Sequence, residues 1–180
     1  MLHITIPSRE YWDEVNQVFV NTKEQKLQLE HSLVSISKWE AKWHKAFMSH
    51  ENRTYEETID YIRCMTITQN VDPEIYKFIP NEIIEQVNEY IANPMTATWF
   101  SEDKTSRRSG ETVTSELIYY WMISLNIPKE CEKWHLNRLL TLVRVCNIKN
   151  QPPKRMSKRE TASRYAALNK ARRNSLNTRG

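Results

Sequence analysis

The chain has 180 residues, of which 39% are hydrophobic and 10% aromatic, and its formal net charge is +4. A chain of this length buries roughly two thirds of its unfolded surface, so it needs neither a disulfide nor a structural metal to hold a core. The sequence contains only two glycines. Because glycine supplies the positive-φ residues of tight hairpins and phosphate-binding loops, this scarcity argues against a large all-β fold and excludes glycine-rich nucleotide-binding motifs.

The cysteines indicate a reducing compartment. Cys64, Cys131 and Cys146 are odd in number and lie among apolar neighbours, as free buried thiols do. The apolar run at the start is too short for a signal peptide, and no run reaches the roughly 20 apolar residues that cross a bilayer. We therefore expect a soluble protein of the cytoplasm that does not enter a membrane.

The net charge is distributed unevenly along the chain. Residues 151–180 hold nine of the 26 lysines and arginines but only one of the 22 acidic residues. The rest of the chain therefore carries about −4 and this segment about +8. The distribution indicates a mildly acidic body followed by a basic arm.

The N-terminal region favours strands. The apolar residues between Leu2 and Ile6 alternate with polar ones, which is the period of a strand with one buried face. Residues 9–20 fit either a helix or a strand, and residues 26–31 alternate again. We predict a small β element within residues 1–31.

From Ser32 onward the apolar period changes to three or four residues, which predicts amphipathic helices. Ser32 is a candidate N-cap for a helix whose buried face runs from Leu33 to Phe47. Thr54 and Glu57 form a capping box, in which threonine caps the third helical amide and glutamate reaches back to the cap. This pair predicts the start of a second helix.

Later signals predict further helices. Asp72 is a candidate capping acid, and the proline that follows it is suited to the first helical position. The stretch after Pro80 carries a regular apolar stripe that stops at Asn93. Residues 117–125 form another stripe, and we expect one helix over residues 128–146.

Two segments lack a strong apolar period. Residues 101–113 contain the only internal glycine and predict a mobile loop. Ser157 and Glu160 form another capping box, but the helix that it would start has too few large apolar residues to build its own core.

The predicted fold class is therefore mainly α. Residues 1–150 form a single helical domain with the small N-terminal β element, and residues 151–180 form a basic C-terminal arm, flexible or helical. The sequence shows no internal repeat and no heptad pattern long enough for a coiled coil.

No motif for metal binding or catalysis stands out. Cys131 and His135 lie four residues apart and Cys146 follows, but structural zinc takes four ligands, usually in two close pairs. We predict that Cys146 lies in the core and that His135 is partly exposed on its helix. The GxSxG nucleophile elbow is absent as well. We expect no metal and no cofactor.

Two acidic clusters have helical spacing: Glu56, Glu57 and Asp60, and Glu82, Glu85 and Glu89. Paired carboxylates hold the metal ions of two-metal nucleases, but solvated helix faces carry the same spacing far more often. We interpret both clusters as solvated faces. Together with the missing motifs, this interpretation predicts that the protein is not an enzyme.

The basic arm is the strongest local signal. Its cations would contact a polyanion through counterion release. Because the arm has few aromatic residues that could stack on bases, it would contact the backbone of a nucleic acid. The residue types are equally compatible with docking of the arm on an acidic surface of a partner protein. The cations are Lys154, Arg155, Lys158, Arg159, Arg164, Lys170, Arg172, Arg173 and Arg179.

Several segments resemble one known family. They are LEHSLVSISKWE (29–40), TIDYI (58–62), PMTAT (94–98), SELIYYWM (115–122), WHLNRLLTLVRVCNIKN (134–150) and QPPKRMSKRE (151–160). Together they are similar to the tail assembly chaperones of siphoviruses, the long-tailed bacteriophages. The likeness runs from about residue 27 to the end of the chain and involves whole segments rather than a catalytic motif.

The resemblance implies a non-enzymatic role in the host cytoplasm. Such chaperones bind the long tape measure protein and recruit tail tube proteins to polymerise around it, and they are generally absent from the finished virion. A helical domain rich in Trp, Tyr and Met suits this role, because such residues anchor amphipathic helices and adapt to varied partners. Trp12, Trp99 and Phe100 lie beside predicted loops and are the candidate partner-binding residues.

A structural virion protein or small adaptor is the alternative function. In that case the basic arm would contact DNA or an acidic partner surface, and the protein would remain in the virion. Salt-sensitive DNA binding that depends on residues 154–173 would distinguish this alternative.

Overall fold

The structure, a computed structural model, describes residues 1–13, 17–49, 52–100, 111–151 and 157–177. The chain divides into two units, Met1–Asn147 and Ile148–Gly180. The predicted mainly α class with a small N-terminal β element is confirmed. Most of the predicted loop, residues 101–110, lies outside the described residues.

The N-terminal strands form two antiparallel ladders. β1 (Leu2–Ile6) pairs with β4 (Gln25–Leu29), and β2 (Arg9–Asp13) pairs with β3 (Val18–Thr22). Of residues 9–20, which fitted either element, 9–13 and 18–20 therefore belong to strands. The alternation predicted for β1 and β4 is confirmed, because every second side chain enters the core: Ile4, Ile6, Leu27 and Leu29.

The first helix, α1 (Leu33–Trp43), begins at the predicted cap. The hydroxyl group of Ser32 accepts a hydrogen bond from the Ser35 amide, and the Ser35 hydroxyl accepts one from the Ser32 amide. The helix ends at His44, whose left-handed φ of 54° stops the ladder. Phe47 is therefore buried from a following 3₁₀ turn rather than from α1, which corrects the predicted continuous face.

The second helix, α2 (Tyr55–Met65), has the predicted capping box. Thr54 Oγ1 accepts from the Glu57 amide (3.2 Å), and Glu57 Oε2 accepts from the Thr54 amide (2.8 Å). Each bond satisfies an amide that the first turn of a helix leaves without an intrahelical partner.

The acidic cluster on α2 is not a solvated face. Glu57 is 1% exposed and its Oε1 lies 2.5 Å from Lys45 Nζ. Asp60 pairs with Lys42 and accepts from the indole N–H of Trp43 (2.9 Å). The prediction is therefore wrong for these two carboxylates, because both fasten α2 to the C-terminal end of α1. It is confirmed for the other cluster, whose three acids are exposed on the next helix: Glu82, Glu85 and Glu89.

The following elements begin near their predicted signals. Asp72 caps a short 3₁₀ helix (Pro73–Phe78). The helix predicted after Pro80 is α3 (Asn81–Ala92), and the stripe predicted at residues 117–125 lies on α4 (Ser115–Ser124).

The single helix predicted over residues 128–146 is interrupted. A 3₁₀ helix occupies Lys129–Lys133, and α5 (Leu136–Asn150) begins only after His135. His135 forms an isolated antiparallel bridge with Ser32, and the Leu136 amide donates to the carbonyl of His31 (2.7 Å). The one-helix prediction is wrong because these long-range backbone bonds, which apolar periodicity does not reveal, hold residues 134–135 extended.

The core of the first unit is built around α1, which packs against α2 and α4. Trp39 is fully buried, and its indole N–H donates to the carbonyl of Glu57 (3.0 Å). The buried carboxylate of Glu40 accepts from the amides of Phe47 (2.8 Å) and Ser115 (2.7 Å). Because Ser115 is the first residue of α4, this one side chain fixes the start of α4 against α1.

The second unit contains α6 (Lys158–Leu176). Its predicted capping box is confirmed: Ser157 Oγ accepts from the Glu160 amide (3.2 Å), and Glu160 Oε2 accepts from the Ser157 amide (2.9 Å). No residue of α6 is buried. A helix without buried contacts is marginal in water even when its propensity is good, so α6 has the character of an arm rather than of a core element.

Candidate partner-binding surface

Two of the three predicted anchor residues line one cleft. Trp99 is 87% exposed, an unusual state for the largest apolar side chain, and Phe100 beside it is half-buried. The cleft has a volume of about 340 Å³. Its lining, which we call the Trp99 cleft, consists of Pro94, Thr96, Thr98, Trp99, Phe100, Leu140, Thr141 and Arg144.

Local hydrogen bonds hold one wall of the cleft. After α3, the side chain of Asn93 accepts from the Met95 amide (2.9 Å), and Met95 has a left-handed φ of 49°. Thr96 Oγ1 then accepts from the Thr98 amide (3.0 Å). Turns closed by Asn and Thr side chains in this way fix the backbone without a helix or a strand.

Asn137 joins this wall to α5. Its side-chain amide donates both to the carbonyl of Ile91 (2.9 Å) and to that of Asn93 (2.8 Å). One residue of α5 therefore donates hydrogen bonds to two backbone carbonyls at the end of α3. The segment that carries Trp99 begins at these bonded carbonyls. The backbone of the fold therefore holds this wall of the cleft in place.

The other wall is α5, which contributes Leu140, Thr141 and Arg144. The guanidinium group of Arg144 stacks on the ring of Phe100, with its central carbon 4.1 Å from the ring centroid. Arg144 alone carries charge among the described residues that line the cleft. The described lining therefore combines aromatic and apolar side chains with three threonines and one positive charge.

A buried polar cluster lies among the helices of the same unit. Nδ1 of His31 shares a hydrogen bond with the Tyr61 hydroxyl (2.5 Å), which is also 3.3 Å from Ser35 Oγ. The rings of His31 and His135 lie 5.1 Å apart. Both histidines and Tyr61 are at most 6% exposed, so a substrate could not reach them without opening the core, and the cluster is structural.

Hydrogen bonds define the protonation state of His135. Nδ1 accepts from the Asn137 amide (3.3 Å), so a neutral ring carries its proton on Nε2, which donates to the carbonyl of Tyr90 (3.1 Å). Burial is the main cause that lowers the pKa of His135. The prediction of a partly exposed helical histidine is wrong, because both ring nitrogens have partners inside the protein.

His31 makes the stability of the protein pH-dependent. Burial, with smaller contributions from His135 and Arg53, lowers the pKa of His31 from 6.5 to about 3. Between pH 6.5 and about pH 3, His31 is therefore protonated in the unfolded chain but neutral in the folded chain. The contribution of neutral His31 to the free energy of unfolding is fully present above pH 6.5 and is lost as the pH falls toward 3. We expect the free energy of unfolding to decline by about 1.4 kcal/mol per pH unit for this one proton.

Urea unfolding between about pH 5 and pH 6.5, above the range in which ordinary carboxylates titrate, measures this slope. The matched variant is His31→Asn, which keeps a polar side chain but cannot titrate. Its slope should be smaller than that of the wild-type chain. Equal slopes in the two proteins would contradict the assignment of the proton to His31.

The candidate zinc ligands do not form a site. Cys131 is buried. Cys146, which was predicted to lie in the core, is half-buried and packs against it. Both ring nitrogens of His135 already have hydrogen-bond partners. The described residues bring together no group of three or more His, Cys, Asp or Glu side chains that could hold a metal ion. Burial also raises the pKa of Cys64 to about 11, so this cysteine is a thiol rather than a reactive thiolate at neutral pH.

A second groove, of about 480 Å³, lies between α1, α2 and the 3₁₀ helix at Pro73–Phe78. Trp43, Tyr55 and Ile59 supply its apolar lining. Its charges are of both signs, and the pair formed by Lys42 and Asp60 is already satisfied internally. The groove therefore shows no preference for the charge of a ligand.

The outward face of α4 is an exposed apolar surface that the sequence reasoning did not single out. Tyr120 is 64% exposed and Ile123 is 76% exposed. The available signal was the unbroken apolar run from Leu117 to Ile123, since a helix that is apolar on all sides cannot bury every face in a domain of this size.

The structure describes six of the nine arm cations predicted to contact a polyanion or an acidic partner. All six are exposed on α6, whereas Lys154, Arg155 and Arg179 lie outside the described residues. Tyr165 and Leu168 are exposed on the same helix. The six described cations are Lys158, Arg159, Arg164, Lys170, Arg172 and Arg173.

For the third predicted anchor, Trp12, the structure describes the backbone only. Its backbone lies in β2 in register with Phe19 of β3, and its side chain lies outside the described part of the chain. Phe19 is 68% exposed. Of the three predicted anchors, Trp99 and Phe100 are the two whose side chains are described, and both line one cleft.

No family model, curated protein or solved structure matches this chain. Among the described residues, none of the helices combines the length and apolar character required to span a membrane.

Proposed function

We propose that this chain is a tail assembly chaperone of a long-tailed bacteriophage, which acts in the host cytoplasm without catalysing a reaction. It binds the tape measure protein and helps to recruit tail tube subunits during tail morphogenesis. The observation that carries this proposal is the Trp99 cleft, where an almost fully exposed tryptophan stands beside Phe100 and Leu140. The resemblance of the segments noted in the sequence supplies the class of partner.

The exposed aromatic surface at Trp99 is suited to binding a partner. Leaving a tryptophan in water forfeits the free energy of burying its apolar surface, about 25 cal/mol per Å². Tryptophan is also among the residues that contribute most binding energy when a partner covers them. A cleft with apolar walls accepts the apolar face of an amphipathic helix, and a tape measure protein is a long helical chain that needs such cover before the tube encloses it.

Co-expression tests the proposal. The chain is produced together with the tape measure protein and the tube protein encoded beside it, and soluble complexes are recovered by pull-down. We expect soluble tape measure protein only when this chain is present, because covering its apolar faces prevents self-association. Recovery of equal soluble amounts without the chain would contradict the chaperone function.

The alternative of an adaptor with a DNA-binding arm is favoured by one observation, the six exposed cations of α6. Binding through them would weaken steeply with salt. In the full-length chain, Arg159, Lys170 and Arg173 can be replaced by glutamine. Salt-sensitive DNA binding that these changes abolish, together with failure to bind the tape measure protein, would favour the adaptor over the chaperone.

A further inference from the structure

We infer that the Trp99 cleft receives an acidic amphipathic helix of the partner, whose apolar side chain packs between Trp99 and Leu140 while a carboxylate one turn away pairs with Arg144. This inference rests on the proposed function and adds to it the chemistry that selects the bound segment. Two features of the described lining support it: the apolar surface that Trp99, Phe100 and Leu140 provide, and the charge of Arg144.

The apolar part of the cleft suits a helix side chain. Its volume of about 340 Å³ lies at the lower end of the range for small-molecule sites, roughly 300–1,000 Å³. Trp99 projects on one side, 87% exposed, and Leu140 of α5 lies on the other. One or two side chains, spaced three or four residues apart on a helix, fill such a space.

The charge of the cleft determines which helix it accepts. Arg144 forms no ion pair with any residue that the structure describes, and the described lining contains no acid. A partner that covers the cleft removes water from the guanidinium group, which is unfavourable unless a carboxylate replaces that water. Charge complementarity therefore favours an acidic segment over a neutral or basic one.

Arg144 is already positioned for this contact. Its central carbon lies over the Phe100 ring, 4.1 Å from the centroid, and a guanidinium group over an aromatic ring keeps N–H donors at its edge when the two planes are parallel. A carboxylate takes two parallel hydrogen bonds from such an edge. Because the stacked side chain is partly ordered beforehand, less conformational entropy is lost when the partner binds.

The second groove and the α4 face do not support an equally specific inference. The groove beside Trp43 contains charges of both signs, and the exposed pair Tyr120 and Ile123 has no charge that would select a partner. The Trp99 cleft is the place where shape and charge together specify one occupant.

α5 offers a matched control for Arg144. Arg138 is also an exposed arginine of α5 and is also stacked on an aromatic ring, with its guanidinium carbon 4.4 Å from the centroid of Trp134. It does not line the cleft. Tyr120 is the corresponding control for Trp99, since it is an exposed aromatic residue on α4 outside the cleft.

The test uses fluorescein-labelled peptides that tile the tape measure protein, with binding to the full-length chain measured by fluorescence anisotropy. We expect the bound peptides to carry Asp or Glu three or four residues from a large apolar residue. Trp99→Ala and Arg144→Glu should each weaken binding about tenfold or more, whereas Tyr120→Ala and Arg138→Glu should change it by about twofold at most. Circular dichroism confirms that each variant is folded.

A charge exchange isolates the ion pair. Changing the acidic residue of a bound peptide to lysine should weaken its binding to the wild-type chain and restore binding to the Arg144→Glu variant. If the peptides bind but the cleft variants behave like their controls, the inference is overturned and the proposed function stands. If the wild-type chain binds neither the peptides nor the full-length tape measure protein, the proposed function fails as well.

Discussion

Trp39→Ala is expected to lower the free energy of unfolding by about 3–5 kcal/mol, the range for removing a buried aromatic side chain. Trp39 is fully buried at the centre of α1, between Trp43 (6.2 Å between ring centroids) and Phe47 (5.3 Å). Its removal leaves a cavity and also deletes the bond from its indole N–H to the Glu57 carbonyl. A loss of this size is a large fraction of the about 5–15 kcal/mol that stabilises a domain.

Urea unfolding followed by circular dichroism measures this loss. Trp39→Phe is the matched variant, since it keeps an aromatic ring and loses mainly the indole N–H and part of the volume. It should be clearly less destabilising than Trp39→Ala. A loss below about 1 kcal/mol for Trp39→Ala, a size typical of surface substitutions, would contradict the central position assigned to Trp39.

Glu40→Ala is expected to lower the free energy of unfolding by a comparable amount, about 2–6 kcal/mol, because it leaves two buried amides without an acceptor and each costs about 1–3 kcal/mol. The amides belong to Phe47, seven residues after Glu40, and to Ser115, 75 residues after it. Because the bond to Ser115 fixes the start of α4, we also expect faster amide exchange in the first turn of α4.

Thermal or urea unfolding, with hydrogen exchange of α4, tests the role of Glu40. Glu89→Ala is the control, since Glu89 is an exposed glutamate on α3. The control should change stability by no more than about 0.5 kcal/mol. Equal effects of the two substitutions would show that the carboxylate of Glu40 does not hold α4 in place.

Local sequence signals predicted the starts of elements well. Ser32, Thr54, Asp72 and Ser157 all cap the helices that they were expected to cap, because a capping bond forms between residues two or three apart and is visible in the sequence. The strand alternation in residues 2–6 was equally readable, since burial of one face of a ladder imposes a period of two.

Long-range contacts were not predictable in the same way. The interruption before α5 depends on bonds from residues 135–136 to His31 and Ser32, about one hundred residues earlier in the chain. Burial of Glu57 depends likewise on the position of Lys45. Neither effect leaves a local signature, because propensity and periodicity report only on neighbours along the chain.

The candidate site was predictable in part. Trp99 and Phe100 were identified because an aromatic pair beside a loop is a typical anchor, and the structure places both in the lining of one cleft. Arg144 and Leu140 were not identified, since their side of the cleft comes from α5, some forty residues further along. The bonds from Asn137 to the end of α3 bring these segments together.

Light scattering during dilution of denatured tape measure protein into buffer measures directly whether this chain covers apolar helices. If this chain is a chaperone that covers apolar helices through the Trp99 cleft, an equimolar amount of wild-type chain should suppress scattering, and the Trp99→Ala variant should suppress it much less. Scattering that rises equally with and without the wild-type chain would contradict the account.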